Sequence, residues 1–381
     1  MNKTPLLLRS ANWRRRFRRR LLGWYDRHAR DLPWRRSRDA YRVWVSEIML
    51  QQTQVATVKP YFERFIESFP SVKVFARAEE EHVLRHWEGL GYYRRARQMH
   101  RAAQKIVEEH GGVFPRDPEA VRALPGIGRY TAGAILSIAF DLRQPILEAN
   151  TVRLFSRLLA YRGDPLASAG QQLLWRAAEC VLPRKEVGRF NQALMELGSE
   201  VCRGRAPRCD VCPVAPLCEA KTRGLQGELP PAKAKRPPEL RHEAALVVRR
   251  RGRVLLLRQP DGGRWAGLWD FPRFEVHAEN PDNLRQELID KVREATGLVV
   301  APGQRLKTIK HGVTRFRITL DCYEADYISG KLGSQETLLK WFRPAELAEL
   351  PLSTTGRKLS RLINGEEMNS EMNRTRRAGG R

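Results

Sequence analysis

The chain has 381 residues, with 69 lysines and arginines against 43 acidic residues and a net charge of +26. At 42% hydrophobic with nine tryptophans, it is too apolar for a disordered chain and long enough for two domains. No run of about 18 apolar residues is present to span a bilayer, so the basic excess points to a polyanionic partner, nucleic acid first.

In chain order, the first feature is a basic stretch, Arg14, Arg15, Arg16, Arg18, Arg19 and Arg20, with no acidic residue before Asp26. A transit peptide has a similar composition. Here Phe17, Leu21, Leu22, Trp24 and Tyr25 keep helical spacing through the arginines, which predicts the opening helix of a domain. Helical periodicity continues to about Ala220, with helices predicted over 80–87, 96–109, 130–140 and 151–161 and short Gly/Pro turns between them. Gly224 to Pro238, with four prolines and a basic charge, reads as a semi-extended linker. Beyond it, Ala244–Val248, Val254–Leu257 and Arg317–Tyr323 are strand-like and 282–295 is helical, so the second domain is α+β. The polar end, 365–381, is expected to be disordered. The fold class is thus multidomain, an all-α domain followed by an α+β domain.

Three segments carry chemistry on their residues alone. Cys202, Cys209, Cys212 and Cys218 form C-x6-C-x2-C-x5-C. Four thiolates on one short loop suit a cubane iron–sulfur cluster, and by spacing alone zinc stays open. Such use of cysteine fits a reducing compartment better than a disulfide framework. Cys180 and Cys322 read as buried thiols. Arg203, Arg205 and Arg208 lie between the first two ligands, either to meet phosphates or as a solvated charged loop. Leu124 to Ala132 places Gly126 and Gly128 in a tight turn before a helix. The free N–H groups there suit a phosphate, or the segment is simply a turn between helices. Glu47, with Val43, Trp44 and Leu50 on its helical face, would have a raised pKa and serve as a general acid; the plainer reading pairs it with an arginine.

Taken together these segments resemble the MutY family of adenine-excising DNA glycosylases, within the helix-hairpin-helix superfamily that includes endonuclease III. Val43 to Gln54 matches the family's catalytic motif, which makes Glu47 the acid that protonates adenine N7 and Gln52 a residue wedged near the lesion. Gly89-Leu90-Gly91-Tyr92-Tyr93 also matches, with Tyr92 as a stacking wedge; alone it reads as an aromatic turn of the core. The cysteine spacing then implies a [4Fe–4S] cluster. Bifunctional relatives carry a lysine where Tyr130 stands, and a phenol forms no Schiff base, so efficient lyase action is not expected. Arg30, Trp34, Arg35 and Gln192 are implied around the flipped adenine, the plainer alternative being surface polars. One departure is plain. The family's Pro-Ile-Leu-Asp-Gly-Asn is here Pro145-Ile146-Leu147-Glu148-Ala149-Asn150, so Glu148 takes the role of supporting the oxocarbenium charge with one more methylene.

Trp265 to Pro272 resembles the Nudix-like domain of the same family. The stretch Asp290 to Gly297 keeps one of the three glutamates that a magnesium-dependent hydrolase needs, so a binding module is expected. Val313, Thr314 and Arg315 stand where relatives present Phe-Ser-His to 8-oxoguanine. The expected organisation is a glycosylase domain over 1–223 with its cluster loop at 202–218, a linker over 224–240, a lesion-reading domain over 241–364 and the tail. The expected reaction is hydrolysis of adenine from 8-oxoguanine·adenine or guanine·adenine pairs in duplex DNA, by a monomer in the bacterial cytoplasm at the nucleoid. An oxidised-pyrimidine glycosylase of the endonuclease III type, and a non-catalytic mismatch binder, are the rival readings.

Overall fold

The computed structural model describes residues 10–232, 237–260, 262–263, 265–278, 280–333 and 339–365. Of the expected linker, 233–236 lie outside the described residues, as does the expected tail beyond Gly365. The chain forms two compact units, Met1–Arg77 with Gln98–Ala234, and Ala78–Arg97 with Lys235–Arg381.

Twelve α-helices precede the first strand among the described residues. They are α1 (Ala11–His28), α2 (Ala40–Leu50), α3 (Val55–Ser68), α4 (Val72–Arg77), α5 (Glu80–Trp87), α6 (Arg94–His110), α7 (Pro118–Arg122), α8 (Arg129–Phe140), α9 (Ala149–Leu158), α10 (Ser168–Val181), α11 (Val187–Glu200) and α12 (Glu219–Thr222). The opening helix is the one predicted through the arginines. Ser10 caps it, its hydroxyl accepting from the Trp13 N–H at 3.1 Å, and Trp13, Phe17, Leu21, Trp24 and Tyr25 form its buried stripe. Arg18 is drawn inward. It donates to the carbonyls of Cys180, Val181 and Leu182 at 3.2, 2.7 and 2.7 Å, satisfying groups that the end of α10 leaves without helical partners.

α2 and α8 position the site. Asp39 caps α2 by accepting from the Arg42 N–H at 2.8 Å, and the helix is buried nearly all round, from Ala40 through Met49. α8 is likewise buried from Thr131 to Ile138 and packs against both α2 and α11. Gly133 permits a close approach, since a Cβ there would stand 2.2 Å from the Pro145 carbonyl oxygen. That approach seats the segment leading to Glu148 against α8.

The C-terminal unit holds β1 (Glu239–Arg250), β2 (Arg253–Arg258), β3 (Trp269–Asp270), β4 (Arg273–Glu275), helix α13 (Pro281–Thr296), β5 (Leu298–Val313), β6 (Phe316–Gly330), β7 (Leu339–Phe342) and helix α14 (Thr354–Ile363). The strand order is β3-β2-β1-β6-β5, with β4 also on β1 and β7 also on β2. β1 and β6 run parallel, from Glu239 opposite Phe316 to Arg249 opposite Asp326. Ala244, Leu246 and Val248 face Leu288 and Val292 of α13, while Ala245 and Val247 join Phe271, Leu347 and Leu359 on the other side. A strand covered on both faces needs an unbroken apolar run, as Ala244–Val248 is. Among the described residues no helix is long and apolar enough to cross a membrane.

Candidate active site and cysteine loop

Glu47, 5% exposed, sits on the third turn of α2, and its carboxylate Oε2 accepts the Tyr130 hydroxyl from α8 at 2.5 Å. Met195 Sδ stands 3.4 Å from the same hydroxyl. Burial pushes the Glu47 carboxyl up to about 7; the Tyr130 bond opposes the rise, the charge of Glu148 adds to it and Arg35 opposes it. Burial, then the two carboxylates, hold the Tyr130 phenol well above its ordinary value. Glu148 is the N-cap of α9. Its carboxylate accepts from the backbone N–H groups of Asn150 and Thr151 at 2.8 and 2.9 Å and from Asn150 Nδ2 at 3.0 Å. Burial raises its pKa, with the Asn150 and Thr151 N–H groups and Arg153 working the other way.

Beside this trio lies a second polar group, organised by a residue that sequence reasoning missed. Glu196 of α11, fully buried, accepts from Arg30 Nε at 2.7 Å, Arg30 Nη2 at 2.9 Å and Arg35 Nη2 at 2.8 Å. Burial would raise the Glu196 carboxyl, but its hydrogen bonds from Arg30 and then Arg35 outweigh burial and hold it low. Gln192, one turn earlier on α11, accepts from the Tyr25 hydroxyl at 3.3 Å, and the Arg35 guanidinium lies 5.7 Å from the Tyr25 ring. The i, i+4 spacing of Gln192 and Glu196 was the available signal. Trp34, beside Arg35 in the turn Pro33–Arg35, is buried and edge-on to Phe62 at 5.5 Å.

Gly126 has φ +76, and a Cβ there would lie 2.9 Å from Gln98 Cβ. Gly128 is the N-cap of α8 at φ −86, and a Cβ there would meet nothing within 4 Å. Gln52, just past α2, has φ 57. Tyr92 is 51% exposed with φ 47.

Cys202, Cys209, Cys212 and Cys218 are free and line one small cavity with Leu154, Leu158 and Val214. Burial pushes the Cys212 thiol up to about 12 and raises Cys209 and Cys218, with the charge of Cys202 adding to each. As they stand, no three His, Cys, Asp or Glu among the described residues form a group ready to hold an ion. The donor set nevertheless suits a thiolate-bound cluster, being four soft sulfurs on one loop with an apolar lining. Arg157, only 2% exposed and missed in the sequence reading, donates to Cys202 Sγ at 3.3 Å and to the carbonyls of Cys202, Arg203 and Gly204 at 3.2, 2.6 and 3.2 Å. Its i, i+4 neighbour Arg153 donates to the Cys202 and Gly198 carbonyls, both at 2.6 Å. Arg203, Arg205 and Arg208 are exposed. Of the two remaining cysteines, Cys322 is buried and Cys180 half-buried.

In the C-terminal unit, Thr314 and Arg315 form the two-residue turn between β5 and β6, with Thr314 at φ 52 and Val313 opposite Phe316. Arg315 pairs with Glu239 at 3.0 Å and lies 4.9 Å from the Phe316 ring.

Residues 45–180 match the HhH-GPD superfamily of base excision DNA repair proteins, and 244–362 match the NUDIX domain. The chain is 35% identical to the adenine DNA glycosylase of Rattus norvegicus over 400 residues, 91% of this chain and 77% of that protein. It is also 35% identical to the adenine DNA glycosylase of Buchnera aphidicola over 275 residues, 72% of this chain and 79% of that one. Among solved structures, a thermostable thymine-DNA glycosylase superposes with a TM-score of 0.52 at 27% identity, covering 56% of this chain and 98% of its own. The chain belongs to the adenine DNA glycosylase family, and is a base-excision-repair enzyme that removes adenine from DNA by breaking an N-glycosyl bond.

Proposed function

We propose that the adenine removed is one paired with 8-oxoguanine or guanine, and that it is hydrolysed off without an efficient strand-cleaving step. The observation that carries this reading is the buried Glu47 carboxyl held by the Tyr130 hydroxyl. With the adenine flipped out of the duplex, the Glu47 carboxyl gives its proton to adenine N7 as the bond to the sugar breaks. Adenine leaves with that proton. Glu148, fixed by the first N–H groups of α9, sets its charge against the nascent oxocarbenium ion. Water then adds to the sugar carbon and its proton passes to a carboxylate. Tyr130 has no amine to attack the sugar, which supports base removal alone. Glu196 keeps Arg30 and Arg35 oriented, and with Gln192 they bind the adenine edge; Trp34 supports this group from the core.

Gly126 and Gly128 present N–H groups to a DNA phosphate, Gln52 and Tyr92 enter the stack, and Val313, Thr314 and Arg315 read the 8-oxoguanine. Along the chain the excising domain spans 1–223, of which 78–97 cluster with the C-terminal unit; a linker over 224–240 and a lesion-reading domain over 241–364 follow, and the protein works as a monomer in the bacterial cytoplasm at the nucleoid. Cys202, Cys209, Cys212 and Cys218 hold a [4Fe–4S] cluster, which when bound supplies a rigid tie across 202–218. Anaerobically isolated protein should be brown with about four irons per chain; stoichiometric zinc without iron would refute this.

The test of the reaction is base release from 8-oxoguanine·adenine, guanine·adenine and thymine-glycol duplexes, with strand cleavage scored separately. Adenine release from the first two alone, without strand cleavage, is expected. Thymine-glycol release with strand cleavage would overturn the reading.

A further inference from the structure

Residues 78–97 belong with the C-terminal strands and helices, and the joint is a part-buried ion pair. Arg357 of α14, 9% exposed, donates from Nε and Nη2 to the two carboxylate oxygens of Glu88 at 2.7 and 2.9 Å. Its Nη1 and Nη2 also reach the carbonyls of Leu347 and Leu350, both at 2.6 Å. The Leu352 N–H donates to Glu88 at 3.4 Å, Arg85 donates to the Ala348 carbonyl at 2.9 Å, and the Trp269 indole donates to Glu81 at 3.0 Å. A buried ion pair adds little net stability over an apolar pair of similar size, but a two-pronged one fixes geometry closely.

Glu88 ends α5 and opens the loop that carries Tyr92. That loop is strained and tightly held. Gly89, Gly91 and Tyr92 have φ of 96, 70 and 47, the last in a region that tyrosine rarely occupies. The Trp87 indole donates to the Gly91 carbonyl at 3.1 Å, and Arg95 donates to the carbonyls of Leu90 and Gly91 at 3.3 and 3.2 Å. The Arg95 guanidinium lies 5.6 Å from the Tyr92 ring. Leu90 and Tyr93 are buried on either side, leaving Tyr92 exposed.

We propose that Glu88 and Arg357 are positioning residues, a clasp through which the C-terminal domain sets the pose of the Tyr92 loop. The inference rests on the reading of Tyr92 as the ring that stacks into DNA. The domain that reads the lesion thereby also holds the side chain that opens the duplex, so recognition and wedging share one rigid connection.

The test uses the full chain with Glu88→Gln, which removes the charge while leaving Arg357 its carbonyl partners, and Glu88→Ala as a second variant. In the free protein, hydrogen exchange over 88–95 should quicken by about tenfold or more while α2 is unchanged. Unaltered exchange at 88–95 in both variants would overturn the clasp, whatever Tyr92 does. Binding to an 8-oxoguanine·adenine duplex should weaken by about tenfold in Glu88→Gln, the scale of one lost aromatic–base stack. Combined with Tyr92→Ala, Glu88→Gln should cost nothing further; additive losses would show that the pair acts elsewhere. Tyr92→Ala binding as tightly as wild type would instead overturn the stacking reading on which the inference rests.

Discussion

At Glu47, burial and hydrogen bonding pull in opposite directions, and burial wins, leaving the carboxyl at about 7. Two outcomes follow. Adenine release should fall as pH rises through about 7, because the ionised carboxylate has no proton to give; Glu47→Gln should abolish release while sparing duplex binding. The folded chain also binds a proton at Glu47 between about 4.5 and 7 that the unfolded chain has lost. That contribution is whole at the acid end and disappears as pH rises. Stability should thus drop by about 1 kcal/mol per pH unit across that window relative to Glu47→Gln. Urea titrations of both proteins at several pH values check this, and parallel curves would refute it. Glu148 calls for the opposite charge state. Glu148→Gln should lose about a hundredfold or more in single-turnover adenine release, and Glu148→Asp much less, since aspartate keeps both the charge and the cap. Equal rates in wild type and Glu148→Gln would remove Glu148 from the chemistry. The burial of Glu47 was legible from its apolar helical face, whereas its role was suggested by the family motif around it. Glu196 had only its i, i+4 spacing from Gln192 to mark it, because a helical acid looks the same in sequence whether it meets solvent or two arginines.

Among the elements, the turn into α8 separates folding from binding. At Gly126 an alanine would be strained by its positive φ and crowd Gln98, whereas at Gly128 the added carbon meets nothing. Gly126→Ala should therefore cost about 1–2 kcal/mol of stability. Gly128→Ala should leave the melting temperature almost unchanged yet weaken duplex binding, by filling the space a phosphate would enter. Thermal melts and binding isotherms for the two variants check the contrast; unchanged binding by Gly128→Ala would end the phosphate reading. The helices were the legible elements, since long amphipathic stripes repeat many times. α5 starts and ends where predicted, whereas α9 stops at Leu158, short of the predicted 161. β5 escaped notice because Pro302 and Gly303 interrupt its pattern and its register against β6 shifts around them. The short strands β3 and β4 were too brief to show any period.

For the molecule as a whole, the charge of +26 is the property most readily measured. Affinity for duplex DNA should fall by about a thousandfold between about 50 and 200 mM salt as phosphate counterions are displaced. A flat salt dependence in a binding titration would mean that the basic excess serves another purpose. Not every arginine contributes, because Arg18, Arg153 and Arg157 are committed to backbone carbonyls. The two-domain organisation was visible as a change from helical to strand-rich texture. The destination of residues 78–97 was not, because periodicity records which face of a helix is buried but not what buries it.

Arg157 has a consequence of its own. Besides gripping the chain at Cys202, Arg203 and Gly204, its Nε donates to the Leu229 carbonyl at 2.8 Å. A single guanidinium thus staples the beginning of the cysteine loop to the stretch by which the chain leaves that unit. Oxidative injury to the thiols is then not a local event. Loosening the loop should therefore also free the chain around Leu229, and limited proteolysis there before and after oxidation of the thiols checks this.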